Sequence, residues 1–288
     1  MLAGQKRRTF GSEIEQGNAY FRLEDKEKNM NNYIPIALIS NLAKIFEKII
    51  HSRILDFTFE HEIISSRQYG FLKGKSTDDA VAELSNFIYE NLKNSNPAIV
   101  TYLDYSKPFD SINHGILLNQ LYNMGTRGVC LSLIQSYLLD RAQLVKVNGT
   151  KILPIKITRE YHKNLFWANY FYVCINDLLI LLKVLLAHAD DTAVSIQGKT
   201  WALVAATTSI KLDVIYFWLY QNRLVLYVQK SVFITFRNYA DSVPTVIELE
   251  MNGQNISRVT SAKYLGLTYD CNMKWDIHVD NIVKKPST

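Results

Sequence analysis

From Ser40 onward the apolar positions recur with regular spacing, and the period changes along the chain. In "SNLAKIFEKIIHSRILDFTFEH", Leu42, Phe46, Ile49, Ile50 and Ile54 fall at three- and four-residue steps, which predicts an amphipathic helix capped by Ser40 or Asn41. A basic, glycine-punctuated loop, "SSRQYGFLKGK", leads into "STDDAVAELSNFIYENL", a second helix in which Ser76 and Asp79 have the spacing of a capping box. "AIVTYLDYS" is apolar and rich in β-formers, a buried strand ending at Asp104. Helices are expected around 113–124, stopped by Gly125, and 128–139. "AQLVKVNGTKILPIKI" reads as a hairpin turning at Asn148-Gly149, and "VLLAHADDTAVSI" as a strand pair interrupted by two acids. A helix over 200–220 and strands near 231–236, 245–250 and 264–269 complete an α+β pattern. Residues 1–30 are polar and mixed in charge and take no assignment.

With 288 residues, 48% hydrophobic and 20% charged, the chain can bury a substantial core, and wholesale disorder is excluded. The net charge of +5 suits a polyanionic partner but also many proteins that have none. Cys130, Cys174 and Cys271 are far apart and show no metal or disulfide spacing, so a reducing compartment is expected. No apolar region follows the basic "QKRR" near the start, and no window reaches the roughly 18 apolar residues of a membrane span. The expectation is an intracellular, nuclear or cytoplasmic, chain with no membrane partner.

Candidate chemistry lies where apolar strands end in carboxylates. Asp104 closes one strand and Asp190-Asp191 interrupt another. Acids inside a buried strand pair are costly unless something offsets their charge, and a hard divalent cation would do so. Carboxylates converging from adjacent strands can hold two ions about 3.5–4 Å apart, the arrangement that stabilises attacking and leaving oxygens in phosphoryl transfer. The plain alternative is a water-facing turn, the commoner fate of a bare Asp-Asp.

The neighbouring blocks decide between them. "NNYIPIALISNLAKIFEKIIHSRIL", "RQYGFLKGKSTDDAV", "TYLDYSKPFDSINHGILLNQLYNMGTRGVC", "HADDTAV" and "SAKYLGLTYD" resemble, in order and spacing, the reverse transcriptase domain of non-LTR retrotransposons, over about residues 30–283. The resemblance implies a polymerase right hand: an unassigned segment over 1–30, fingers over 31–100, a palm over 101–240, and a primer-grip hairpin with only the start of a thumb over 241–288. It implies RNA-templated DNA synthesis with Mg²⁺ or Mn²⁺ as cofactor, and an RNA template, a DNA primer and deoxynucleotide triphosphates as partners. Asp104, Asp190 and Asp191 become the catalytic metal ligands. Phe109 takes the place of the ring that excludes a ribose 2′-hydroxyl. Lys73, Lys75 and Lys230 become nucleotide-binding cations, and Tyr264, Leu265 and Gly266 the primer grip.

The chain also departs from that family. Ile34 and Leu72 stand where it has arginines, Pro108 where it has alanine, and Tyr227 where it has asparagine. The largest departure is "EYHKNLFWANYFYVC", which replaces the family's "GVPQGSVLGPLLFLLY" and its nucleotide-positioning Pro-Gln-Gly. Codons read one base earlier can spell "GVPQESVLGQLFL", so an out-of-frame stretch explains the aromatic run better than a stacking platform or membrane segment. Two expectations result: a working reverse transcriptase domain, or a catalytically dead, frameshift-damaged fragment that binds nucleic acid weakly at most.

Overall fold

The structure is a computed structural model. It describes residues 17–23, 33–38, 40–106, 108, 112–139, 142–147, 150–151, 155–156, 165–237, 243–244 and 246–284. In chain order the elements are β1 (Gly17–Leu23), β2 (Tyr33–Leu38), α1 (Asn41–Glu60), α2 (Thr77–Lys93), β3 (Ala98–Leu103), α3 (His114–Asn123), α4 (Gly128–Leu138), β4 (Ala142–Val147), β5 (Thr150–Lys151) and β6 (Ile155–Lys156). There follow α5 (Leu165–Leu181), β7 (Leu185–His188), β8 (Asp191–Gln197), α6 (Trp201–Gln221), β9 (Val232–Phe236), β10 (Leu249–Met251), β11 (Gln254–Arg258), β12 (Ser261–Tyr264), β13 (Leu267–Asp270) and α7 (Asp276–Val283). The chain divides into two compact units, each made of two separate stretches: 1–63 with 109–174, and 64–108 with 175–288.

In the first unit β1 pairs antiparallel with β2 and parallel with β4, and β4 pairs with β5 and β6. The β4–β5 pairing closes on Val147 and Thr150, as expected around Asn148-Gly149, although those two turn residues lie outside the described ones. Helix α1 starts at Ser40, whose hydroxyl accepts from the Ala43 amide. Its buried face is rotated from the expected stripe. Ala43, Glu47, Ile50, Ile54 and Thr58 are buried, while Leu42 and Ile49 are 65% and 55% exposed. Periodicity alone missed Glu47, whose carboxylate accepts a 2.5 Å hydrogen bond from the Tyr137 hydroxyl of α4; that bond lets an acid occupy the inner face. Gly125, at φ +108°, ends α3 as predicted, and a Cβ there would meet the Phe57 ring at 2.9 Å. The aromatic run enters helix α5, with Phe171 and Tyr172 fully buried.

The second unit is built on a six-stranded sheet in the order β10-β11-β9-β3-β8-β7. Strand β3 lies inside it, antiparallel to β8 and β9, and all six of its residues are buried. The period of two places Ala98, Val100 and Tyr102 on one face, in a cluster with Ala80, Leu84 and Ile88 of α2. Ile99, Thr101 and Leu103 face the other way, where α6 covers the sheet with Val204, Leu212, Ile215 and Leu219. Helix α2 carries the capping box expected at Ser76 and Asp79.

Three expectations are corrected. The segment 264–269 is a hairpin, β12–β13, rather than a strand, because Leu265 (φ +48°) and Gly266 (φ +89°) both take the left-handed conformation of a two-residue turn. The strand placed at 245–250 is confined to Leu249–Met251. Helix α6 is, by length and composition, apolar enough to cross a membrane; one side is buried on the sheet, and the opposite side also carries Leu203, Ile210 and Phe217, with Lys211 and Asp213 between the two.

Candidate active site

Asp104 is the first residue beyond β3. Its carbonyl accepts from the Tyr227 amide at 2.8 Å, and its amide donates to the Ser231 hydroxyl at 3.2 Å. Ser231, fully buried, also donates that hydroxyl to the Tyr227 carbonyl at 3.0 Å. Ser106 donates its amide to Val225, so the segment after β3 runs along residues 225–227. The short helical turn Val228–Lys230 follows.

The other two acids come from the β7–β8 hairpin, whose last pair is His188 with Asp191 and whose turn is Ala189-Asp190, with Ala189 at φ +58°. In the β3–β8 ladder Leu103 faces Thr192, so one further step of register sets Asp104 opposite Asp191. Residues opposed in this way have Cα atoms about 4.5–5.5 Å apart, and like charges there repel. Burial, with Asp190 adding to it and Lys230 opposing, raises the Asp104 carboxyl above its ordinary range. Burial, then Asp190 and Asp104, raise Asp191, against His188 and Lys263. Tyr105, buried beside them, is pushed up to about 12 by burial and then by Asp190.

The donor set suits a hard cation. Three carboxylates share one strand end, and none has an ion-pair partner among the described residues. No three acidic, histidine or cysteine side chains among the described residues are gathered tightly enough to hold one ion. A pair is enough, because Mg²⁺ takes one or two protein carboxylates and completes its shell with water and substrate phosphates.

The remaining predicted residues are placed unequally. Lys230 lies on the turn after Tyr227, its Nζ 4.6 Å from that ring, and its charge acts on Asp104. Lys75 donates to the Ser66 carbonyl at 2.6 Å and lies over the Tyr69 ring. Lys73 is exposed. Tyr264 is buried with its ring 5.5 Å from that of Tyr102, so its side chain belongs to the core, leaving Leu265 and Gly266 at the hairpin tip. Burial and then Asp191 raise its phenol. Phe109 lies outside the described residues. Leu72, in place of the family's arginine, is buried.

Sequence reasoning missed three contributors. His188 and Lys263 are the cations acting on Asp191, each an unremarkable residue beside a recognised motif. Gly70 is the third. Residues 67–69 hydrogen-bond along β7, with the Tyr69 amide donating to Ala187 at 2.8 Å and the Ala187 amide to Arg67 at 3.2 Å. A Cβ on Gly70 would then lie 2.3 Å from the Ala189 backbone nitrogen, in the acid-bearing turn. The basic loop is thereby tied to the acids through a close backbone approach.

A sheet with acids at one strand end, helices on both faces and an adjoining hairpin defines the right-hand polymerase class. Solved structures agree: telomerase from Candida tropicalis, in complex with a fragment of telomeric RNA, superposes with TM-score 0.61 at 11% identity, over 93% of this chain and 46% of that one. The RNA-dependent RNA polymerase of a human picorbirnavirus gives 0.50 at 9% identity, over 91% and 44%. The family model of the reverse transcriptase (RNA-dependent DNA polymerase) matches residues 25–269, and the chain belongs to that family. Relatives include the RNA-directed DNA polymerase from the mobile element jockey of Drosophila melanogaster, 27% identical over 88% of this chain and 28% of that protein. A 115 kDa protein of the type-1 retrotransposable element R1DM, also from Drosophila melanogaster, is 22% identical over 90% and 25%. The chain is a reverse transcriptase domain of the non-LTR type, and spans about a quarter of the length of these relatives.

Proposed function

We propose that the acids at the β3–β8 strand end carry RNA-templated DNA synthesis, joining a primer 3′-hydroxyl to a deoxynucleotide triphosphate. The supporting observation is the register that sets Asp104 opposite Asp191, with Asp190 in the adjoining turn. Asp104 with Asp190 or Asp191 would hold Mg²⁺ or Mn²⁺, which when bound supplies charge stabilisation at the attacking and leaving oxygens. Lys230, whose charge acts on Asp104, would meet the triphosphate, and Tyr227 and Ser231 hold the Asp104 backbone in position. Lys73 and Lys75 supply cations for the triphosphate or the template, Phe109 selects the deoxy sugar, and Leu265-Gly266 approach the primer. Fingers over 31–100, palm over 101–240 and the primer-grip segment over 241–288 are part of this proposal, as is action inside the cell, in nucleus or cytoplasm.

One observation favours a second reading, in which the architecture is kept and activity is lost: residues 160–172 carry the aromatic run in place of Pro-Gln-Gly. Without that turn the template base and incoming nucleotide lose alignment, and a misplacement of about 1 Å can cost 10²-fold in rate. The test is extension of a DNA primer on an RNA template with Mg²⁺ or Mn²⁺. The sequence as written is expected to extend poorly or not at all, and a version carrying "GVPQESVLGQLFL" at 160–172 to extend at least 10²-fold faster. Robust extension by the sequence as written, abolished by Asp190→Ala, would overturn the second reading and leave the first standing.

A further inference from the structure

Strand β7 ends at Leu185, opposite Val194, and β8 continues for three more residues without a strand on that side. The Ser195 amide and hydroxyl both donate to the Val184 carbonyl, at 2.9 and 3.2 Å, and seal the inner corner of the gap. Beyond it opens a cleft of about 330 Å³, lined by Arg67, Phe87, Lys183, Ser195, Gln197 and Lys211 among others. At about 3.3 Å per residue, Ser195–Gln197 lie roughly 13–20 Å along β8 from Asp191, well away from the acids.

The charge of this cleft is one-sided. Arg67 pairs with Glu83 at 2.7 Å, and the same carboxylate accepts from the Tyr69 hydroxyl. Lys183 and Lys211 have no acidic partner among the described residues. Two lysines without an acidic partner therefore line one mostly apolar opening, beside the half-buried Phe87 and with Ser195 and Gln197. Lysines beside an aromatic ring suit single-stranded nucleic acid, whose phosphates meet the cations and whose bases stack on the ring.

We infer that this cleft binds the phosphodiester backbone of a single-stranded nucleic acid, as a site separate from the catalytic acids. The inference shares with the function proposed above only the class of partner, and it survives complete loss of chemistry at Asp104 and Asp190. The test uses the full chain and a fluorescein-labelled single-stranded oligonucleotide, with anisotropy read from about 50 to 200 mM salt. For single strands each neutralised phosphate contributes about 0.7 to the slope of log affinity against log salt. Lys183→Gln with Lys211→Gln is expected to weaken binding and reduce the slope by about 1.4, while the Lys→Arg pair keeps both. Equal thermal melting of the variants separates this effect from unfolding. Unchanged affinity and slope in the Gln pair would overturn the site while leaving a nucleic-acid partner elsewhere intact. Lost binding of inorganic phosphate alone, or of a poly-glutamate peptide alone, with oligonucleotide binding unaffected, would overturn the assignment to a strand.

Discussion

Gly70 carries no side chain, and the acid-bearing turn depends on that. The atom that an added Cβ would meet is backbone, the Ala189 nitrogen at 2.3 Å, so the turn or the loop must move. Gly70→Ala is expected to destabilise the fold by about 1–3 kcal/mol in urea unfolding and to weaken divalent-ion binding by displacing Asp190. The raised carboxyls make a second prediction. A folded-state pKa above the unfolded value means that the folded chain holds its proton longer, so the contribution to stability is complete below the ordinary carboxyl pKa and is lost as pH rises through the folded one. Asp191→Asn should therefore raise the melting temperature at neutral pH and confer no advantage near pH 3, as melts across pH would register. Mg²⁺ should stabilise the parent chain increasingly with pH and the variant much less. The three acids were legible because the blocks around them resemble a known family; a bare Asp-Asp alone reads as a water-facing turn. Gly70, His188 and Lys263 were not, because their roles arise from which backbone lies beside them.

At the scale of elements, the end of β3 is held by a residue from a distant segment. Ser231 is fully buried and its hydroxyl serves both Asp104 and Tyr227. Ser231→Ala leaves the Asp104 amide without that acceptor, at a cost of about 1–3 kcal/mol in urea unfolding. The β12–β13 hairpin gives a contrasting case. A Cβ at Gly266 meets nothing within 4 Å, so the cost of Gly266→Ala is purely conformational, about 1–2 kcal/mol, measurable in the same way. Helices were read well where local signals agree, as at Ser76 with Asp79, or at Gly125. The hairpin was not legible from local pattern, because Leu265 at φ +48° is a residue that propensity assigns to a strand; only the family resemblance implied a hairpin there. In α1 the expected stripe failed because Glu47 is accommodated by Tyr137, a partner that no periodicity encodes.

Across the whole molecule, the surface of α6 is the least reconciled feature. Leu203, Ile210, Val214 and Phe217 line the side opposite its buried face, with Ile210 63% and Phe217 61% exposed. Large apolar side chains grouped in this way are ordinarily covered. Ile210→Lys with Phe217→Lys should leave the urea midpoint within the roughly 0.5 kcal/mol expected of surface changes, while reducing aggregation measured by light scattering. The sheet and helices that carry the acids were legible in outline from alternating and helical periods. The division into two units was not, since nothing local in the sequence records which distant stretches share a core.

That division constrains how the chain can be made. The first unit needs residues 1–63 to await 109–174, and in it β1 finds β4. The second holds β3 between β8 and β9, so the strand that leads to Asp104 has no neighbour until the ribosome has synthesised Asp191–Gln197, and its other edge stays open until Val232–Phe236. At about 5–20 residues per second, the nascent chain would carry the unpaired edges of β3 for several seconds. Folding of this unit should therefore be slow, with chaperone capture during synthesis falling on the apolar strand Ala98–Leu103.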